Sequence, residues 1–244
     1  MTHAGQHTNA LGQPIGAPLP DSWAPPPRPV RAAMQGRFVR LEPLVVAHAE
    51  PLHEANSLDR EGRLWTYMGY GPFETLDAYR RWVGEVTRDG DPMFYAIVGQ
   101  DDGRPVGVAS YLRITPASGA IEVGNICYSP LLQRTPGATE TMYLMMRWAF
   151  EAGYRRYEWK CDALNAPSRR AAQRLGFSYE GVFRQATLYK GRNRDTAWYA
   201  VIDSEWPALQ TAFETWLDPA SFDAGGRQRE SLSALTRPLL ANIG

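Results

Sequence analysis

Asn165-Ala166-Pro167-Ser168-Arg169-Arg170-Ala171-Ala172-Gln173-Arg174-Leu175-Gly176-Phe177, with Glu180-Gly181 close behind it, is the most informative run in this 244-residue chain. Asn165 to Ser168 opens a helix, because proline fits a first turn, where a backbone N–H has no intrahelical acceptor. Gly176 ends the helix, since glycine takes the left-handed conformation that closes helices at little cost. Upstream, Tyr157, Trp159 and Cys161 alternate as on a strand. Downstream, residues 177–189 and 196–202 read as a hairpin around Lys190-Gly191-Arg192-Asn193.

Further upstream, residues 93–98, 106–114 and 121–128 read as an antiparallel meander. Its first turn is Gln100-Asp101-Asp102-Gly103, with the Asp-Gly pair typical of hairpins. The loop Pro130-Leu131-Leu132-Gln133-Arg134-Thr135-Pro136-Gly137-Ala138 then runs into a helix over 139–152, apolar at Met142, Met145, Met146, Ala149 and Phe150, with Gly153 closing it. Before the meander come a strand over 37–41 and helices over 46–57 and 75–88. The second helix has Thr75 as N-cap and Tyr79, Trp82, Val83 and Val86 at helical spacing. Residues 204–217 form a last amphipathic helix. The order β, α, α, βββ, α, β, α, ββ, α makes this an α+β chain.

A 44% hydrophobic, 21% charged composition supports one sizeable core. The formal net charge of zero points away from nucleic acid and anionic membrane as partners. No stretch approaches the ~18 apolar residues of a membrane span. The N-terminus carries no apolar targeting segment. Cys127 and Cys161 read as buried reduced thiols. A cytoplasmic setting follows. Residues 1–35 form a proline-rich arm that regular structure cannot accommodate; it is either disordered or a strap on the body. The body spans 36–217, and 218–244 is a polar tail. His3, His7, His48 and His53 lie in no ligand pattern, so neither a metal site nor a Ser-His-Asp triad is expected.

A loop entering a helix, as at 130–139, presents unpaired N–H groups and the positive end of the helix dipole to an anion. Gln133 to Thr139 is therefore a candidate pyrophosphate site. It is not a Walker loop, because no Gly-Lys-Ser/Thr follows, and its spacing and strand context do not fit a dinucleotide fingerprint.

The two segments together resemble the GNAT acetyltransferase superfamily. Asn165…Ser168…Leu175-Gly176-Phe177…Glu180-Gly181 is similar to that superfamily's Asn-x-x-Ser…Leu-Gly-Phe…Glu-Gly element, most of all in the RimJ/RimL type of ribosomal-protein N-terminal acetyltransferases. Gln133…Ala138-Thr139-Glu140 aligns with the branch's pyrophosphate loop, usually Gln-Gly-x-Gly-x-Ala-Thr-Glu. Arg134 and Pro136 replace its two glycines. Pro136 removes one customary N–H donor, and Arg134 can compensate with a charge-assisted contact. The resemblance covers residues 36–205.

It implies a mostly antiparallel sheet of about seven strands with helices on both faces, strands 4 and 5 splaying around the cofactor. It implies direct transfer of an acetyl group from acetyl-CoA to an amine, without a metal. Gln133, Arg134, Thr135, Gly137, Ala138 and Thr139 would hold the phosphates, Asn165 and Ser168 the pantetheine arm, and Arg169 the 3′-phosphate. Backbone N–H groups from Ile126 to Tyr128 would meet the thioester oxygen. Ser168 would help the thiolate leave, standing in for the tyrosine that many members carry where this chain has Ala172. For the base, Glu122 is favoured over Glu140, with Asn125 positioning the amine or a water. Trp65, Tyr67, Tyr70 and Phe73 form the acceptor pocket or pack the core, with Tyr189 opposite. The acceptor, a small molecule or a protein N-terminus, and the choice of monomer or homodimer stay open. The altered loop also leaves a non-catalytic acyl-CoA-binding module as an alternative.

Overall fold

The structure, a computed structural model, describes residues 7–244, so residues 1–6 of the expected arm lie outside it. The strands are β1 (His7–Thr8), β2 (Pro14–Ile15), β3 (Met34–Gln35), β4 (Val39–Pro43), β5 (Met93–Gly99), β6 (Pro105–Thr115), β7 (Ala120–Tyr128), β8 (Arg156–Asp162), β9 (Ser178–Tyr189) and β10 (Arg192–Ile202). The α-helices are α1 (Ala49–Asn56), α2 (Leu76–Val86), α3 (Pro136–Glu151), α4 (Ala166–Arg174), α5 (Trp206–Leu217) and α6 (Leu232–Thr236). β1 and β2 form a separate hairpin, and the rest make one eight-stranded sheet in the order β3-β4-β5-β6-β7-β8-β10-β9. The eighth strand is β3, two residues too short to leave a periodic signal.

All neighbours in this sheet are antiparallel except β7 and β8, which run parallel. Their pairing lasts only from Ala120↔Arg156 to Val123↔Trp159. Beyond it the strands part, for two reasons. On β7 the register against β6 shifts between Val108↔Cys127 and Ser110↔Gly124, with Asn125 at φ 51°. That is a bulge, which bends a strand away from its neighbour, and asparagine is among the few side chains that tolerate positive φ. On the other side, β8 continues along β10 as far as Asp162↔Thr196.

One face of the sheet packs on α3, α4 and α5 through residues such as Met145, Tyr157, Phe177, Leu209 and Phe213, all fully buried. The other packs on α1 and α2 through Leu52, Tyr79, Trp82, Val83 and Phe94. Among the described residues no helix is long and apolar enough to cross a membrane.

The helix expected to start at 139 starts at Pro136, three residues earlier. Thr135 is its N-cap, its Oγ1 accepting the Ala138 N–H at 3.3 Å. Pro136 takes the first helical position, where its fixed φ is already helical. Glu140, the expected competitor for the base, is a structural anchor. It is buried, and its carboxylate accepts the backbone N–H groups of Arg37, Phe38 and Val39 at 2.7, 2.7 and 2.9 Å. α3 is thereby tied to the turn between β3 and β4. A Cβ on Gly36 would collide with that carboxylate.

The described part of the arm lies on the body. Tyr154 and Tyr95 donate their hydroxyls to the carbonyls of Pro27 and Val30 at 3.0 and 3.3 Å, and Arg28 and Arg31 reach the carbonyls of Ile114 and Thr87 at 3.1 and 2.7 Å. The segment read as a polar tail is packed. Leu232 is buried, the Thr236 hydroxyl donates to the Arg174 carbonyl at 2.9 Å, and Tyr179 N donates to the Asn242 carbonyl at 3.1 Å.

Glu140→Ala orphans three N–H groups that now meet a carboxylate, and unsatisfied buried donors cost about 1–3 kcal/mol each. The expected loss is about 3 kcal/mol or more, read as a lower urea midpoint at unchanged slope. An unshifted midpoint would show that the anchor contributes nothing.

Candidate active site

Where β7 and β8 part, a cleft of about 130 Å³ opens, with Gly124, Asn125 and Ile126 on one wall and Trp159 to Asp162 on the other. Tyr67, Ser168 and Arg194 also line it. A larger hollow of about 620 Å³, bounded by Phe183, Arg184 and Gln185, is open to solvent on the outer hairpin and gathers no convergent polar groups.

The Ser129 N–H bonds the Val106 carbonyl at 3.1 Å. Antiparallel strands alternate in the edge to which successive residues direct N–H and C=O. The Tyr128 amide therefore points away from β6, and Ile126, next to the bulge, lines the cleft, where β8 no longer supplies acceptors. Asn125 is held fast: its Nδ2 donates to Ser110 Oγ at 2.9 Å, and its carbonyl accepts the Tyr70 hydroxyl at 3.4 Å.

At the anion end, Gly137 holds the second helical position and keeps an uncommitted N–H. The Ala138 N–H is taken by the Thr135 cap. Thr139 is the first residue whose N–H has an intrahelical acceptor; its side chain is buried and accepts from Arg174 at 2.8 Å. Gln133 spends its Nε2 on the Tyr128 carbonyl at 2.8 Å. Arg134 adopts φ 62°, the conformation the missing glycine would take freely, and its exposed side chain makes no hydrogen bond or ion pair among the described residues. For a residue other than glycine that conformation costs roughly 1–2 kcal/mol. Of the expected phosphate contacts, the Gly137 amide and the Arg134 guanidinium are thus the uncommitted ones.

Across the cleft, Asn165 caps α4, its Oδ1 accepting the Ser168 N–H at 3.1 Å. Ser168 Oγ accepts the Trp159 indole at 3.0 Å, which leaves its own hydrogen free to be donated. Arg169 is committed to the fold through the Tyr199 hydroxyl at 3.1 Å and the Ala163 carbonyl at 3.3 Å.

Glu122 is 3% exposed and does not line the cleft. Its carboxylate lies 2.7 Å from Arg113 Nη1 and 2.8 Å from Lys160 Nζ. Burial pushes its pKa above the usual carboxylate value, against the pull of those two cations. The carboxylate that does line the cleft is Asp162, at the end of β8. It accepts the Leu164 N–H and the Tyr189 hydroxyl, both at 2.8 Å. Burial and the Asp162 charge push the Tyr189 pKa up to about 12, so the phenol stays protonated and donating at neutral pH.

The aromatic run divides. Trp65 is 7% exposed and packs edge-on against Phe73 at 5.4 Å, a core position rather than a pocket wall. Tyr70 packs on Trp82 at 4.6 Å beneath Asn125. Tyr67 lines the cleft and spans its mouth, donating its hydroxyl to the Leu164 carbonyl at 3.2 Å. Asp162, Lys160 and Arg194 were missed in the sequence, because Asp162 ends β8, Arg194 lies near the tip of the β9–β10 hairpin and Lys160 reads as the polar position of an alternating strand. The scarcity of lysine, two in the whole chain, was the available signal.

A family model described as an acetyltransferase (GNAT) domain matches residues 39–178. A GCN5-related N-acetyltransferase from Brucella melitensis is 44% identical, with a TM-score of 0.86 over 88% of this chain and 99% of that one. A chain from Chromobacterium violaceum, described as a probable acetyltransferase of the GNAT family, is 39% identical, with a TM-score of 0.75 over 80% of this chain and 98% of that one. At 23% identity and a TM-score of 0.60, over 71% of this chain and 99% of its own, RimL, the ribosomal L7/L12 alpha-N-protein acetyltransferase, shares the fold. No match is found among curated proteins. With the parted strands in place, the chain belongs to the GNAT family and is an acetyl-CoA-dependent acetyltransferase.

Proposed function

We propose that the enzyme transfers the acetyl group from acetyl-CoA to a primary amine by direct attack in a ternary complex. The observation that carries this reading is the parting of β7 and β8, which gathers free amides, a hydroxyl donor and a carboxylate around one small cleft. The Ile126 and Tyr128 amides face the position of the thioester oxygen, where negative charge develops during attack. Ser168, opposite them, donates a proton to the departing thiolate. Arg134 and the Gly137 amide receive the pyrophosphate, the guanidinium replacing the donor lost at Pro136.

A primary amine has a pKa near 10.4, so it must shed a proton before it attacks. Asp162 is the carboxylate in reach of the cleft, and we assign it the proton. Glu122, the residue favoured from sequence, instead balances the charge of Lys160, whose ammonium separates it from the cleft. The amine nitrogen bonds to the carbonyl carbon as the C–S bond breaks. The ammonium gives its first proton to Asp162 before attack; as the C–S bond breaks the nitrogen sheds a second proton to solvent, and the sulfur takes one from Ser168, which regains it from solvent.

Calorimetric titration with acetyl-CoA, with adenosine diphosphate as control, is expected to show CoA-dependent binding. Arg134→Ala should weaken it about tenfold and flatten its salt dependence, as loss of one charged hydrogen bond would. No binding at millimolar acetyl-CoA would sink the transfer reading.

Asp162→Asn is expected to lower kcat by at least about 100-fold with acetyl-CoA affinity unchanged, the usual worth of a positioned base. Thiol release measured across pH for Asp162→Asn and Glu122→Gln separates the two carboxylates. A large loss in Glu122→Gln alone would return the base to Glu122.

A further inference from the structure

One of the two lysines of this arginine-rich chain lines the cleft, and the other sits at the β9–β10 turn. The first, Lys160, has its ammonium 2.8 Å from Glu122 Oε2, 2.7 Å from Glu158 Oε2 and 3.8 Å from the Trp198 ring centroid. Lys190, at the β9–β10 turn, donates to the Trp65 carbonyl at 2.6 Å, tying that turn to the loop that carries Tyr67.

The charges of the sheet face close on themselves. Arg113 pairs with Glu122, Lys160 with Glu122 and Glu158, and Arg156 with Glu158 and Glu180. Three cations face three carboxylates, so this chain of pairs carries no surplus. Outside it, one cation and one anion line the cleft, and a second cation lies on the β9–β10 turn. Arg194 lines the cleft, has no ion pair among the described residues, and holds its Nε buried without a hydrogen-bond partner. Lys190 has only a carbonyl as acceptor. Asp162, on the β8 wall, keeps lone pairs beyond those used by Leu164 and Tyr189.

An acceptor is held best when it answers both signs. A neutral amine leaves Arg194 Nε–H buried and unpaired, which costs about as much as a lost hydrogen bond. A diamine sets its second ammonium against two unpaired cations. An amine that carries its own anion satisfies Asp162 at one end and the cations at the other. The space is small, about 130 Å³. The hydrogen bond from Tyr67 to the Leu164 carbonyl ties the aromatic loop to the chain after β8, and that from Lys190 to Trp65 ties the same loop to the β9–β10 turn.

We propose that the acceptor is a small zwitterion, a primary amine with a carboxylate or phosphate a few bonds from its nitrogen, whose ammonium is received by Asp162 and whose anion is received by Arg194 and Lys190. This rests on the reading of the cleft as the acetyl-transfer site. Arg194 is thereby a specificity-determining residue that takes no part in the bond changes.

The test is thiol release from acetyl-CoA with four matched acceptors: an α-amino acid, its carboxamide, an aminoalkyl phosphate and an unbranched diamine. One or both anionic acceptors should exceed the carboxamide and the diamine in kcat/KM on the order of 10- to 100-fold, the worth of one charged hydrogen bond. Comparing the two anionic arms distinguishes carboxylate from phosphate. Arg194→Gln should erase the preference by raising KM for the anionic acceptor, with KM for acetyl-CoA unmoved, and Arg194→Lys should restore part of it. Equal or better use of the diamine or carboxamide, or a preference that survives Arg194→Gln, would each overturn the zwitterion and leave acetyl transfer standing. Absence of acetyl-CoA binding would overturn both.

Discussion

Everything functional in this protein depends on an interruption of backbone pairing. β7 and β8 share four residue pairs and then separate, because the bulge at Asn125 turns β7 away while β8 stays with β10. Buried backbone amides are almost always paired, so an edge that opens inside a sheet is a standing demand for a polar partner. Beyond Val123 no residue of β8 pairs with β7, and the cleft opens there. Depth and shape of the cleft then follow from which side chains the two walls carry.

The start of α3 is held by a different device, one that fixes where its free N–H groups lie relative to the splay. Glu140 secures this by accepting three amides from the β3–β4 turn, with Gly36 leaving room for the carboxylate. The start of α3 also shows a trade between backbone and side chain. Proline at 136 removes a donor but presets the helix, and Arg134 takes up a left-handed backbone while presenting a charge to the same place. Charge on the sheet face is balanced pair by pair from Arg113 to Glu180, so what remains unpaired in the cleft stands out.

Element order and most boundaries were legible in the sequence because the signals are local. Thr75 and Asn165 cap helices as their residue types suggest, Gly153 and Gly176 close helices at positive φ, and the meander strands fall where the apolar runs place them. The short β3 and the start of α3 were not legible. Two residues carry no period, and a proline beside a glycine reads as loop until the Thr135 cap is seen to precede it.

Sequence alone determined the α+β order, the helix that follows the 130–138 loop and the Asn165 cap that places Ser168 in the first turn of its helix. These rest on spacing along the chain, which survives without coordinates. Tertiary structure decided which polar groups are free. Glu122, Glu140, Arg169 and Thr139 each looked available by residue type, and each is committed to a partner distant in sequence. Asp162 and Arg194 looked like ordinary strand-end and hairpin residues, yet they line the cleft from two different strands. A side chain's availability depends on what packs beside it in space, and that is information no local pattern of residues contains.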